Sequence, residues 1–136
     1  MRIDWTEEFD RWFDRLIDRA EAGDERAVEQ VALVEAELEV LQELVEAPSE
    51  NSPTLRRVAQ SRRYPLWRVA HPFVAGPAIR LIVWFPPERP GEVVIVLFGA
   101  DKAQMGDVFY NSVGPRADAS IDSFIYRTGM EEESDD

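Results

Sequence analysis

The chain has no cysteine and a single histidine among its 136 residues. The first absence excludes a disulfide framework and thiolate metal sites, and it fits a reducing compartment. The second leaves zinc chemistry short of ligands. No run of about 18 apolar residues exists that could span a bilayer as a helix. The N-terminal "MRIDWTEEFDRWF" is acidic and amphipathic, unlike a signal peptide, so the expected setting is cytoplasmic with no membrane partner. GxGxxG, Walker and GxSxG patterns are also missing, which removes the usual parts for cradling nucleotides and for a nucleophile elbow. No cofactor is expected.

What is present is material for a core. Hydrophobic residues make up 45% of the chain, with four Trp and seven Phe, in a length typical of one domain. We expect that domain over residues 1–129, followed by a disordered acidic tail at 130–136, "MEEESDD".

The formal net charge of −12 conceals a partition. Residues 1–50 sum to −11, residues 51–129 to +4, and the last seven to −5. Within the basic stretch, "LRRVAQSRRYPLWRVA" at 55–70 holds five arginines and no acid. Local field near a site matters more to a ligand than the total charge.

Periodicity organises the rest. "MRIDW" alternates apolar and charged positions and suits a short strand with Ile3 and Trp5 on its buried face. Thr6 can cap a helix carrying Phe9, Trp12, Phe13, Leu16, Ile17 and Ala20 at helical spacing, interrupted at Gly23. Asp24 can cap a second helix, with Ala27, Val31, Val34, Leu38, Leu41 and Val45 as its stripe and Pro48 as its stop. The glutamates outside that stripe read as a solvated surface.

Beyond a loop at 47–55 the period changes to two. "LWRVAHPFV", "AIRLIVWF" and "VVIVLFGA" read as an antiparallel meander, the last covered on both faces. "MGDVFYNSVGPRADASIDSFIYRTG" suggests one or two short helical pieces broken at Gly114-Pro115. The expected class is α+β: an N-terminal strand and helical hairpin packed on a small, mainly antiparallel sheet, with a C-terminal helix.

The chemistry-bearing residues are cations on strands and strand ends. Arg68 and Arg80 sit among apolar neighbours, so each needs a partner, either a helix carboxylate or a bound phosphate. Arg56, Arg57, Arg62 and Arg63 form a preceding cluster, suited to a solvated loop, an acidic protein surface or RNA.

The order of "MRIDWTEEFDRWFDRL", a long second helix, "LRRVAQSRRYPLWRVA", "AIRLIVWF", "VVIVLFGADKAQ" and "DVFYNSV" resembles the phage-associated, HigB-like branch of the RelE/ParE toxin superfamily. The resemblance covers about residues 1–115. It implies a RelE-like fold and a toxin of a type II toxin-antitoxin system, held inactive by a cognate antitoxin. It also implies ribosome-dependent cleavage of mRNA, with metal-free attack of a 2′-hydroxyl on the adjacent phosphate and no small-molecule cofactor. The alternative within the superfamily is a non-catalytic protein that binds gyrase or another protein target.

Carried onto this sequence, Arg68 and Arg80 clamp the phosphate, and Lys102 is a further phosphate contact or a base. Tyr110 is the acid or a stacking residue. His71 is an additional catalytic candidate, in an "AHPF" stretch that also suits a turn. Arg56, Arg57, Arg62 and Arg63 contact the RNA backbone.

Overall fold

The computed structural model describes residues 1–59, 63–69 and 79–129, and the side chains of residues 102–111 lie outside the described set. Eight elements follow one another: β1 (Arg2–Trp5), α1 (Glu7–Glu21), α2 (Glu25–Gln42), β2 (Leu55–Arg57), β3 (Trp67–Val69), β4 (Ile79–Trp84), β5 (Val93–Asp101) and α3 (Lys102–Thr128). The strands form one sheet in the order β1-β5-β4-β3-β2, with β1 parallel to β5 and the other pairings antiparallel. The class is α+β, as the sequence indicates.

Local chemistry explains the helix starts. The Thr6 hydroxyl accepts the Phe9 N–H and donates to the Leu97 carbonyl, so one side chain caps α1 and fixes it to β5. Asp24 accepts the N–H groups of Arg26 and Ala27 at the start of α2. Gly23, with φ of 98°, makes the left-handed turn between the two helices.

Four expectations change. The second helix stops at Gln42 rather than at Pro48, and Val45 is 86% exposed. There the N-terminal ammonium of Met1 donates to the carbonyls of Gln42 and Leu44, both at 2.8 Å, satisfying groups that the end of a helix leaves open. The C-terminal segment is one 27-residue helix that runs through Pro115. Pro115 faces solvent, while Val113, Ala117, Ile121 and Phe124 are buried at helical spacing, so packing offsets the roughly 3 kcal/mol that an internal proline costs. Leu55–Arg57, expected as the end of a loop and the start of the arginine cluster, is a fifth strand at the sheet edge. Trp5 is 45% exposed rather than buried, because β1 is the opposite edge strand.

Alternation along the strands divides the interior into two clusters. Leu55, Trp67, Val69, Ile79, Leu81, Val83, Val94 and Val96 join Phe9, Leu16, Val34 and Leu41 of α1 and α2. Ile82, Trp84, Ile95, Leu97 and Phe98 join Val113, Ala117, Ile121 and Phe124 of α3. Buried on both faces, β5 is apolar from Val93 to Phe98, as a doubly covered strand requires. Its Gly99 makes room for a ring, since a Cβ there would stand 2.8 Å from Trp12 and 2.9 Å from Leu81. Arg116 pairs with Glu8 and lies 4.2 Å over the Phe98 ring, joining α3 to the first turn of α1.

Candidate nucleic-acid interface

Strand register decides which arginines share a surface. Arg56 stands opposite Arg68, Arg68 opposite Ile82, and Ile82 opposite Phe98, so these four residues lie on one face. Arg80, two residues before Ile82 and opposite Ala100, lies on that face too. Ile82, Phe98 and Ala100 pack in the α3 cluster, which identifies the face as the one that α3 partly covers. Three of the proposed site arginines thus fall on adjacent strands of one surface. Two like charges directly opposite, as at Arg56 and Arg68, concentrate positive potential.

Arg57 alternates to the other face. It stands opposite Trp67 and, with Trp67, Phe85 and Arg89, lines a separate groove of about 320 Å³. Arg63 is engaged within the fold. Its backbone N–H donates to Asp118 at 3.2 Å, its guanidinium meets Asp122 at 2.7 Å, and the Tyr64 hydroxyl donates to Asp122 at 2.6 Å. The bond to Asp122 holds the Tyr64 phenol above its ordinary range. This clamp ties the basic segment to α3. Lys102 and Tyr110 belong to α3, but their side chains lie outside the described residues, as do Arg62, His71 and the tail at 130–136.

The most unusual electrostatics surround Arg80. Its guanidinium Nη1 donates to the Ile79 carbonyl at 3.0 Å, while its buried Nε has no partner among the described residues. Nearby, Glu37 of α2 is 1% exposed and its Oε1 has no partner either. Burial pushes the Glu37 carboxyl up to about 9, although the Arg80 charge and the Leu81 N–H pull in the opposite direction. At neutral pH the acid is uncharged, so it does not neutralise Arg80.

Reading the glutamates as solvated therefore fails at Glu37, though it holds for Glu25, Glu29, Glu35, Glu39 and Glu43. A signal was available. Steps of three and four from Ala27 reach Gln30, Val34, Glu37 and Leu41, all of them buried. Following apolar residues alone selects Val31 and Leu38, which are only partly buried at the margin of that stripe. Gln30 has a similar explanation: with Arg26 it donates to the buried Asp101, at 2.9 and 2.7 Å respectively, latching α2 to the end of β5 beside Lys102.

Chemically, the described residues of this face supply anion binding. A guanidinium presents a planar fork of donors that matches two phosphoryl oxygens. Among the described residues, no group of three or more His, Asp or Glu is placed to hold a metal ion, and no helix is long and apolar enough to cross a membrane. Comparison with protein-family models, curated proteins and solved structures finds no match.

Proposed function

We propose that the protein is the toxin of a type II toxin-antitoxin system that cleaves mRNA at the ribosome, with the arginine face as its RNA site. The observation that carries this reading is the placement of Arg56, Arg68 and Arg80 on one sheet face, with a buried guanidinium nitrogen of Arg80 lacking a partner among the described residues. The resemblance of the motif order to the HigB-like branch of the RelE/ParE superfamily supports it.

In this reading Arg68 and Arg80 bind the non-bridging oxygens of one phosphate and stabilise the charge that builds there as the 2′-oxygen attacks. The bond from the 2′-oxygen to phosphorus forms as the bond from phosphorus to the 5′-oxygen breaks, giving a 2′,3′-cyclic phosphate and a 5′-hydroxyl end. Lys102 or His71 accepts the 2′-hydroxyl proton, and Tyr110 protonates the leaving oxygen. Arg56, Arg57, Arg62 and Arg63 contribute backbone contacts, with Arg63 first having to leave Asp122. A cognate antitoxin covers the site in the resting cell, and the place of action is the cytoplasm.

The test is inducible expression in a bacterial host of the wild type beside Arg80→Ala, with growth followed and transcript ends mapped. Growth arrest with new transcript ends that vanish in the variant is the expected result. Arrest with intact transcripts would replace the nuclease with a toxin that binds a protein target. Soluble wild-type protein without arrest would overturn both.

A further inference from the structure

The groove beside Trp67 is unusual in a chain of net charge −12. Its described lining holds two arginines, Arg57 and Arg89, and no acid, against walls of Trp67, Phe85 and proline rings. The acids of the adjoining turn, Glu88 and Glu92, are exposed and line neither this groove nor the smaller cavity next to it. A cleft with charge of one sign and low-dielectric walls focuses its field on an anion.

The fold brings an anionic segment to that groove. α3 ends at Thr128, and Gly129, at φ 68°, turns the backbone left-handed with its N–H on the Ile125 carbonyl at 2.9 Å. Thr128 lines a cavity of about 110 Å³ together with Arg2, Asp4, Arg89 and Val93, and Arg89 and Val93 line the groove as well. The helix therefore delivers the residues that follow it beside one of the groove's own arginines. Those residues, 130–136, carry five acids and no base, and seven residues reach at most about 25 Å. Asp4 is the one acid lining the cavity between them among the described residues, against Arg2 and Arg89.

We propose that the acidic segment 130–136 docks in the groove of Arg57 and Arg89, passing from the end of α3 around the end of the sheet. Its carboxylates meet the guanidinium forks in charge-assisted hydrogen bonds. An exposed pair of this kind is weak alone. The tether offsets that weakness by holding the segment near the groove at a millimolar effective concentration. Docking requires no RNA site, and its test uses none.

The experiment follows the backbone amides of the full nitrogen-15-labelled chain by NMR. At about 0.01 M salt, where charges act over about 30 Å, residues 131–136 should show order parameters above about 0.6, the upper bound for flexible backbone. At about 1 M salt, where charges act over about 3 Å, the values should fall below that bound. Arg57→Glu should lower them at low salt too. A second variant leaves the folded core untouched: with Glu131→Gln, Glu132→Gln, Glu133→Gln, Asp135→Asn and Asp136→Asn together, the Arg57 and Arg89 amides and the Trp67 indole should shift from their wild-type positions. Tail order that salt and Arg57→Glu leave unchanged, or groove resonances unmoved in the neutral-tail variant, would overturn the docking. Two further results would overturn it by naming another occupant. Order lost on tenfold dilution would give the groove to the tail of a second copy. A flexible tail, with groove resonances moved by added hexaglutamate, would give it to an acidic segment of another protein.

Discussion

The two faces of the sheet are covered by different means. One receives the α1 and α2 pair, and the other receives α3 alone. A helix with its side chains is about 10 Å across and strands lie about 4.8 Å apart, so one helix spans about two strands and a pair spans about four. The paired face is therefore closed, and it carries its polar groups, Glu37 and Gln30 with Asp101, inside. The single-helix face is closed by α3 over β5, and its β2–β3 side carries Arg56 and Arg68. The difference teaches that the position of a charge here follows from helix cover: directly beneath the two helices a buried polar group must be neutral or paired, and where cover ends, at Arg56 on one face and Arg57 on the other, a cation can face outward.

Core substitutions probe the closed parts of both faces and should have the largest effects. Phe98→Ala beneath α3 and Leu81→Ala beneath α1 and α2 should each cost about 3–5 kcal/mol in chemical denaturation, since both side chains are fully buried. A much smaller loss at Phe98 would show the α3 layer to be loosely held.

Glu37→Gln sharpens the contrast through pH. Below its ordinary value of 4.5 the carboxyl is protonated in folded and unfolded chains alike, whereas between 4.5 and about 9 only the folded chain keeps the proton, so wild-type stability falls as pH rises through that window. Glutamine escapes that loss. The variant should match the wild type near pH 4 and exceed it by about 4 kcal/mol at pH 7.5, from the three pH units by which that condition exceeds the unfolded carboxyl's midpoint. Parallel stability curves across pH would mean that Glu37 is ionised in the fold.

Asp101→Ala removes the acceptor shared by Gln30 and Arg26 and leaves a buried amide unpaired. The expected loss is about 1–3 kcal/mol, read from urea unfolding. The smallest effect belongs to the open part of the other face. Arg68→Ala should lower the salt dependence of single-stranded RNA binding by about 0.7 in log–log slope, the share of one phosphate contact. An unchanged slope would take Arg68 out of the RNA contact surface.

Much of this was legible from local pattern. Thr6 and Asp24 could be named as caps because their side chains act on N–H groups two or three residues away. The β3-β4-β5 meander and the doubly covered β5 followed from alternation and an unbroken apolar run. The end of α2 was not legible, because the group that meets its last carbonyls is the amino group of Met1, some forty residues away in sequence. Nor was the continuity of α3 through Pro115, which depends on a sheet surface that rewards one unbroken stripe of buried side chains. For the candidate site, the residue types were visible and their grouping was not. Adjacent in sequence, Arg56 and Arg57 part to opposite faces by the period of two, while Arg56, Arg68 and Arg80 meet only through strand register.

The sequence by itself determined the helix starts with their caps, the alternating strands of the meander and the segregation of charge, since these depend on neighbours within a few residues. The tertiary structure alone decided which arginines share a surface, that Arg63 is clamped to α3, and that one glutamate among many is buried and uncharged. Those outcomes depend on contacts between segments far apart in the chain, where register and desolvation, rather than residue type, set the energy.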